Sequence, residues 1–126
     1  MFPRSFPGPA SGSVISALQR ALSGQSVRAD GAPVSHPMEA LYLCGHSMGG
    51  AMAALMAVML TTEPAYASIA ERLRGVYTFA QPMIGSPRFA EACDAHPFLG
   101  SHVARYILRN DVVPLLPPAA AGPFGQ

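Results

Sequence analysis

The sequence predicts an α/β fold, a mostly parallel sheet with crossover helices, on three observations. Short apolar runs of strand character alternate with helix-like segments. A glycine-rich turn joins one such strand to one such helix. Charged residues make up 12% of the 126 residues while hydrophobic ones make up 50%. Strictly alternating strands and helices build parallel sheets through crossover connections. A charged share about half of the roughly 25% usual in soluble domains suits strands covered on both faces. The length suits one modest domain.

In chain order, residues 1–12 are rich in Pro and Gly and read as an unstructured lead-in. They contain no apolar stretch of the kind a signal peptide needs. Ser13 to Ser23 places Val14, Ile15, Leu18 and Leu22 on one helical face, with Gly24 as its stop. Residues 25–38, punctuated by Pro33 and Pro37, read as a loop. Ala40 to Cys44 is a first strand, and Met48 to about Thr61 a helix without a polar face. That helix reads as buried and is too short for a typical membrane span. Ser68 to Leu73 predicts a further helical turn or two. Gly75 to Ala80 is a second strand, followed by a turn over 81–85. Pro87 suits the first position of a helix running to about Ala95. Val103 to Leu108 is a third strand. The partial domain is therefore 13–118, about three strands, with 119–126 an irregular tail.

Formal net charge is +1 and the eight basic residues, all Arg, are dispersed, so no nucleic-acid partner is expected. Cys44 and Cys93 lack metal-ligand spacing, and neither a metal nor a cofactor is expected. Cys44, within an apolar strand, is expected to be a buried free thiol. With neither leader nor span visible, the default location is cytoplasmic.

The chemistry concentrates at Gly45-His46-Ser47-Met48-Gly49-Gly50. A serine hydroxyl is a weak nucleophile until a base takes its proton and donors hold the oxyanion. A Gly-x-Ser-x-Gly turn between strand and helix thrusts the serine out at a sharp junction. Gly45, Gly49 and Gly50 are expected to give strand and helix room to approach. The N–H of Met48, at the positive end of the following helix, would face the developing oxyanion. The competing reading is a nucleotide-binding turn with an incidental serine. It lacks support, because neither Gly-x-Gly-x-x-Gly nor Gly-Lys-Ser/Thr is present.

Three segments together resemble the class 3 lipases, a fungal-lipase-like branch of the α/β-hydrolases. They are Gly45 to Ala51, Tyr77 to Ser86 (Tyr-Thr-Phe-Ala-Gln-Pro-Met-Ile-Gly-Ser), and Arg105 to Pro118, which contains Asn-Asp-Val-Val-Pro-Leu-Leu-Pro-Pro. Their order and separation match as well, over roughly residues 38–118. The resemblance implies a partial α/β-hydrolase fold and a serine ester hydrolase acting on lipid or acylglycerol esters. It implies Ser47 as nucleophile and Asp111 as triad acid. It also implies transient contact with a lipid interface in the full-length protein. Read alone, Asp111 is better explained as a turn aspartate capping its own loop. Ala80 stands where the family commonly has Gly, and Ser86 where it commonly has Asn.

The chain order in this fold is Ser, Asp, His, and no histidine follows Asp111. His46 should point away from the serine and pack under the elbow. His36 lies in the loop before the first strand, His96 in a Pro-flanked loop, and His102 just ahead of the third strand. Each reads as an ordinary structural or surface histidine. No early strand supplies a second oxyanion donor. The expectation is the middle of a lipase domain, with negligible activity alone. Two further readings share these residues: a catalytically dead relic or interaction module, and an acyltransferase or thioesterase on the same fold.

Overall fold

A computed structural model describes residues 13–116. The lead-in over 1–12, the end of the partial domain at 117–118 and the tail over 119–126 lie outside the described residues. The chain divides into two units at Ala40/Leu41.

In the first unit, α1 spans Val14–Leu22. Ser13 begins it by accepting a hydrogen bond on its hydroxyl from the N–H of Ser16 at 3.1 Å, satisfying one of the free donors of the first turn. Gly24 ends it with φ +71°. The N–H groups of Gly24 and Gln25 return to the carbonyls of Ala21 and Arg20, at 3.2 and 2.8 Å. This is the paired closure that a left-handed residue after a helix permits. The loop that follows carries an isolated antiparallel bridge between Val27 and Pro33.

The second unit is a three-stranded parallel sheet in the order β1-β2-β3, with β1 Leu41–His46, β2 Leu73–Phe79 and β3 Val103–Tyr106. Between β1 and β2 run α2, Met48–Thr62, a 3₁₀ turn at Pro64–Tyr66, and α3, Ala67–Ala70. Between β2 and β3 run α4, Pro87–Ala95, and α5, Leu99–His102. Pro87 takes the first helical position of α4, and the Ser86 hydroxyl accepts from the N–H of Phe89 at 3.3 Å.

The partial α/β-hydrolase architecture is thus present, with corrections at the element ends. The helix expected over Ser68 to Leu73 is confined to Ala67–Ala70, and Leu73 already belongs to β2. Arg74 is an extra residue in the ladder: Leu73 pairs with Leu41 and Gly75 with Tyr42. The parity of β2 therefore changes at Arg74, so Leu73, Val76 and Thr78 all face the core. β3 stops at Tyr106 rather than Leu108.

One face of the sheet carries the core. Ala57, Leu73, Val76 and Leu99 are buried together, with Leu41, Leu43 and Val103 packed against them. Within α2 the buried residues are Gly50, Ala54, Ala57 and Leu60, a single stripe at helical spacing. Met48, at 70% exposure, and Leu55 lie outside it, so α2 is apolar all round but buried on one side only.

Among the described residues nothing covers the other face. Tyr42, Tyr77, Phe79 and Tyr106 are all exposed on it. They stack in pairs, Tyr42 on Tyr77 at 6.4 Å and Phe79 on Tyr106 at 5.1 Å between ring centroids. Cys44 shares this face and is a free but exposed thiol, not a buried one. Among the described residues no single helix is long and apolar enough to cross a membrane.

The two thiols differ physically. Burial pushes the Cys93 thiol up, and the neighbouring Asp94 carboxylate adds to the shift. Alkylation requires the thiolate. Iodoacetamide at pH 8, followed by peptide mass spectrometry, is expected to modify Cys44 well before Cys93. Because the Cys93 pKa is raised, the gap should narrow as pH rises and its thiolate becomes populated.

Candidate active site

The carboxyl ends of the three strands are stitched together by backbone bonds beyond the ladder itself. The N–H of Ser47, just past β1, donates to the carbonyl of Phe79 at 2.9 Å. The N–H of Ala80, just past β2, donates to the carbonyl of Tyr106 at 3.0 Å. Both donors have positive φ, Ser47 at 54° with ψ −125° and Ala80 at 49°. Side-chain-bearing residues adopt such sparsely populated conformations at a cost of about 1–3 kcal/mol. At each position the chain leaves its strand sharply while still bonded to the next one.

At Ser47 the turn leads straight into α2. The Ser47 carbonyl accepts from the N–H groups of Gly50 and Ala51 at 2.9 and 3.2 Å. The N–H groups of Met48 and Gly49 find no acceptor among the described residues, and the Ser47 hydroxyl caps nothing. A free hydroxyl and a free N–H at a helix's positive end suit nucleophilic attack with oxyanion stabilisation.

The glycines divide the work unequally. A Cβ on Gly45 would overlap the carbonyl of Gly49 and lie 2.7 Å from the nitrogen of Gly50. A Cβ on Gly50 would lie 3.0 Å from the Gly45 carbonyl oxygen and 3.3 Å from the Cβ of Gln81. A Cβ on Gly49 would meet nothing within 4 Å. The room comes from Gly45 and Gly50, and the sterical role expected of Gly49 is corrected.

Asp111 follows β3 in a turn, its N–H donating to the Leu108 carbonyl at 3.0 Å. Its Oδ1 accepts from the N–H of Val113 at 3.0 Å, the capping role that a turn aspartate plays. A second 3₁₀ turn, Val113–Leu115, follows. This strap is fastened by Arg105, whose Nη2 donates to the carbonyls of Gln81 at 2.6 Å and Pro114 at 2.9 Å. The Met83 N–H donates to the Leu116 carbonyl at 2.7 Å. Asp111 thereby borders a cavity of about 380 Å³ with His46, Phe79, Ala80, Tyr106 and Leu108. His46 is exposed and lines this cavity, rather than packing under the elbow.

His96 and His102 have structural partners. Nδ1 of His96 accepts from the N–H groups of Phe98 and Leu99 at 3.2 and 3.3 Å. His102 ends α5, stacked on Phe98 at 4.6 Å. His36 belongs to the first unit.

The sequence profile described as lipase (class 3) matches residues 25–121. The chain belongs to the class 3 lipase family. Its relatives include a protein named triacylglycerol lipase OBL1 from Nicotiana tabacum, 38% identical over 85 residues, and one of the same name from Arabidopsis thaliana, 39% identical over 85. The matched stretch is 65% of this chain in both cases, and 14% and 16% of those proteins. A lipase of Rhizomucor miehei is 36% identical over 87 residues, 69% of this chain and 23% of that one. The chain thus spans less than a quarter of the length of these relatives. No solved structure gives a significant match.

Within this class 3 lipase chain, Arg105 and Gln81 are the site residues that sequence reasoning missed. The available signal was an arginine alone inside an otherwise apolar strand. Two substitutions test the geometry, read by urea unfolding. Gly45→Ala is expected to cost about 3 kcal/mol or more by overpacking, and Gly49→Ala much less. Ala80→Gly is expected to raise stability by up to about 1 kcal/mol by relieving the left-handed backbone.

Proposed function

We propose that this chain carries the nucleophile and the acid of a serine ester hydrolase acting on acylglycerol or related lipid esters. One observation carries the reading: Ser47 stands at a strained strand–helix junction with its hydroxyl and the Met48 N–H both uncommitted. The family membership and the relatives named as lipases support the substrate class.

In this mechanism the Ser47 Oγ attacks the ester carbonyl carbon as a base removes its proton. The Met48 N–H supports the oxyanion at the start of α2, and the alcohol leaves with a proton returned by the base. Water then attacks the acyl-serine ester, releasing the fatty acid and restoring Ser47. Asp111 orients the base and stabilises its cationic form. The base is a histidine other than His36, His46, His96 and His102. Those four precede Asp111 in the chain, and His96 is engaged in holding the turn into α5.

The exposed aromatic side chains Tyr42, Tyr77, Phe79 and Tyr106 on one sheet face also favour a second reading, an inactive hydrolase core that serves as an interaction module. Chemical complementation separates the two. Removing the histidine of a triad costs roughly 10⁶-fold in turnover, so the 126-residue chain should be nearly inert toward p-nitrophenyl butyrate. Added imidazole should restore ester turnover in the unaltered chain, and Ser47→Ala and Asp111→Asn should each abolish that gain. An imidazole response equal in the unaltered chain and in Ser47→Ala would refute the hydrolase reading.

A further inference from the structure

Across the sheet from His46 and Asp111 lies a second and larger cavity, about 490 Å³, between α2 and α4. Its volume falls within the roughly 300–1,000 Å³ of small-molecule sites. Neither Ser47, Met48 nor Asp111 lines it. Its apolar walls include Ala54 and Val58 from α2, Phe89 and Ala90 from α4, and Leu99 and Val103.

Two residues that line it, Gln81 and Arg105, keep donors that the fold does not use. Gln81 is 6% exposed. Its backbone carbonyl is held by Arg105, but among the described residues its side-chain amide makes no hydrogen bond. Arg105 lines the same cavity. Its two hydrogen bonds both use Nη2, which leaves Nε and Nη1 uncommitted. No carboxylate pairs with it: the ion pair found among the described residues joins Arg28 to Asp30.

We propose that this cavity is a binding site for a long-chain carboxylate, with the acyl chain among the α2 and α4 side chains and the carboxylate on Arg105 and the Gln81 amide. An apolar slot ending in an unpaired guanidinium and a free amide donor selects an amphiphilic anion. The lining also contains Asp94, which repels a carboxylate and so fixes the direction of the ligand. Asp94 is seven residues beyond Pro87 along α4, about 10 Å at the helical rise. The headgroup therefore sits at the Gln81 end. The choice of a fatty acid among amphiphilic anions rests on the proposed hydrolysis, whose product it is, whereas the site itself is independent of Ser47.

Cys93 lines the cavity and Cys44 does not, which supplies an internal reporter. Oleate below its aggregation threshold should protect Cys93 from N-ethylmaleimide several-fold, with Cys44 unaffected, and oleyl alcohol should protect much less. The Ser47→Ala protein should behave identically, so loss of hydrolysis leaves this readout intact. Ala90→Trp, at an exposed wall position, should abolish oleate protection. Gln81→Leu, which keeps the backbone carbonyl on Arg105, should raise the oleate concentration needed for half-maximal protection about tenfold while unfolding at equal or higher urea. Equal protection of both cysteines, protection that survives Ala90→Trp, or equal protection by oleate and oleyl alcohol would each overturn the proposal.

Discussion

The close approach of β1 to the first turn of α2 governs the rest of this molecule. Backbone meets backbone where Gly45 faces Gly49 and Gly50, with no space for even a methyl group on Gly45. That approach forces Ser47 into a strained backbone at φ 54°, ψ −125°. It points the first N–H groups of α2 past the end of the sheet and lets the buried stripe of α2 settle on Leu73 and Val76. Core packing and the chemistry of the serine are therefore two outcomes of one contact. Strain held at Ser47 is offset by burial along the helix behind it, a usual arrangement at functional sites.

The same device recurs one strand over, without its usual residue. Ala80 leaves β2 at φ 49°, still bonded to the Tyr106 carbonyl. The family commonly places Gly here, and at the level of sequence the departure bears on substrate-loop detail. The structure gives it a different meaning. It is a backbone strain at the carboxyl edge, between the serine and the strap that carries Asp111. Thr78, two residues earlier, is fully buried, and among the described residues its Oγ1 has no partner. Local stability near the elbow is thus reduced at three neighbouring positions: Ser47, Thr78 and Ala80.

The architecture was legible because its signals are local. Gly24 and Pro87 mark helix ends through backbone geometry, and each behaves as its position implies. The strand–turn–helix around Ser47 is written in small residues at fixed spacing. Burial was not legible, because its signal is contrast between faces and this chain has little. Tyr42, Cys44, Tyr77 and Phe79 are as apolar by type as Leu41, Leu43 and Val76, so nothing in their order distinguishes the bare face from the packed one. The same lack of contrast hid the one-sided burial of α2. The shift at Arg74 was hidden for a related reason, since a single extra residue changes parity without altering composition. His46 was misplaced because strand alternation, not adjacency to Ser47, decides which side its ring takes.

In a chain with so few charges, a charged side chain on the packed face of the sheet has to be explained. Arg105 is one such group: it is exposed, yet its register beside Thr78 puts it on the helix side of β3. One nitrogen of its guanidinium holds the loop at Gln81 and the strap at Pro114. That strap carries Asp111. Arg105 also lines the cavity between α2 and α4. Lysine would offer a point charge in place of this rigid, planar fork. The guanidinium therefore ties the strap that carries Asp111 to the loop at Gln81. An arginine alone in an apolar strand reads as an anomaly in sequence. In three dimensions it is the group through which the carboxyl edge of the sheet keeps its shape.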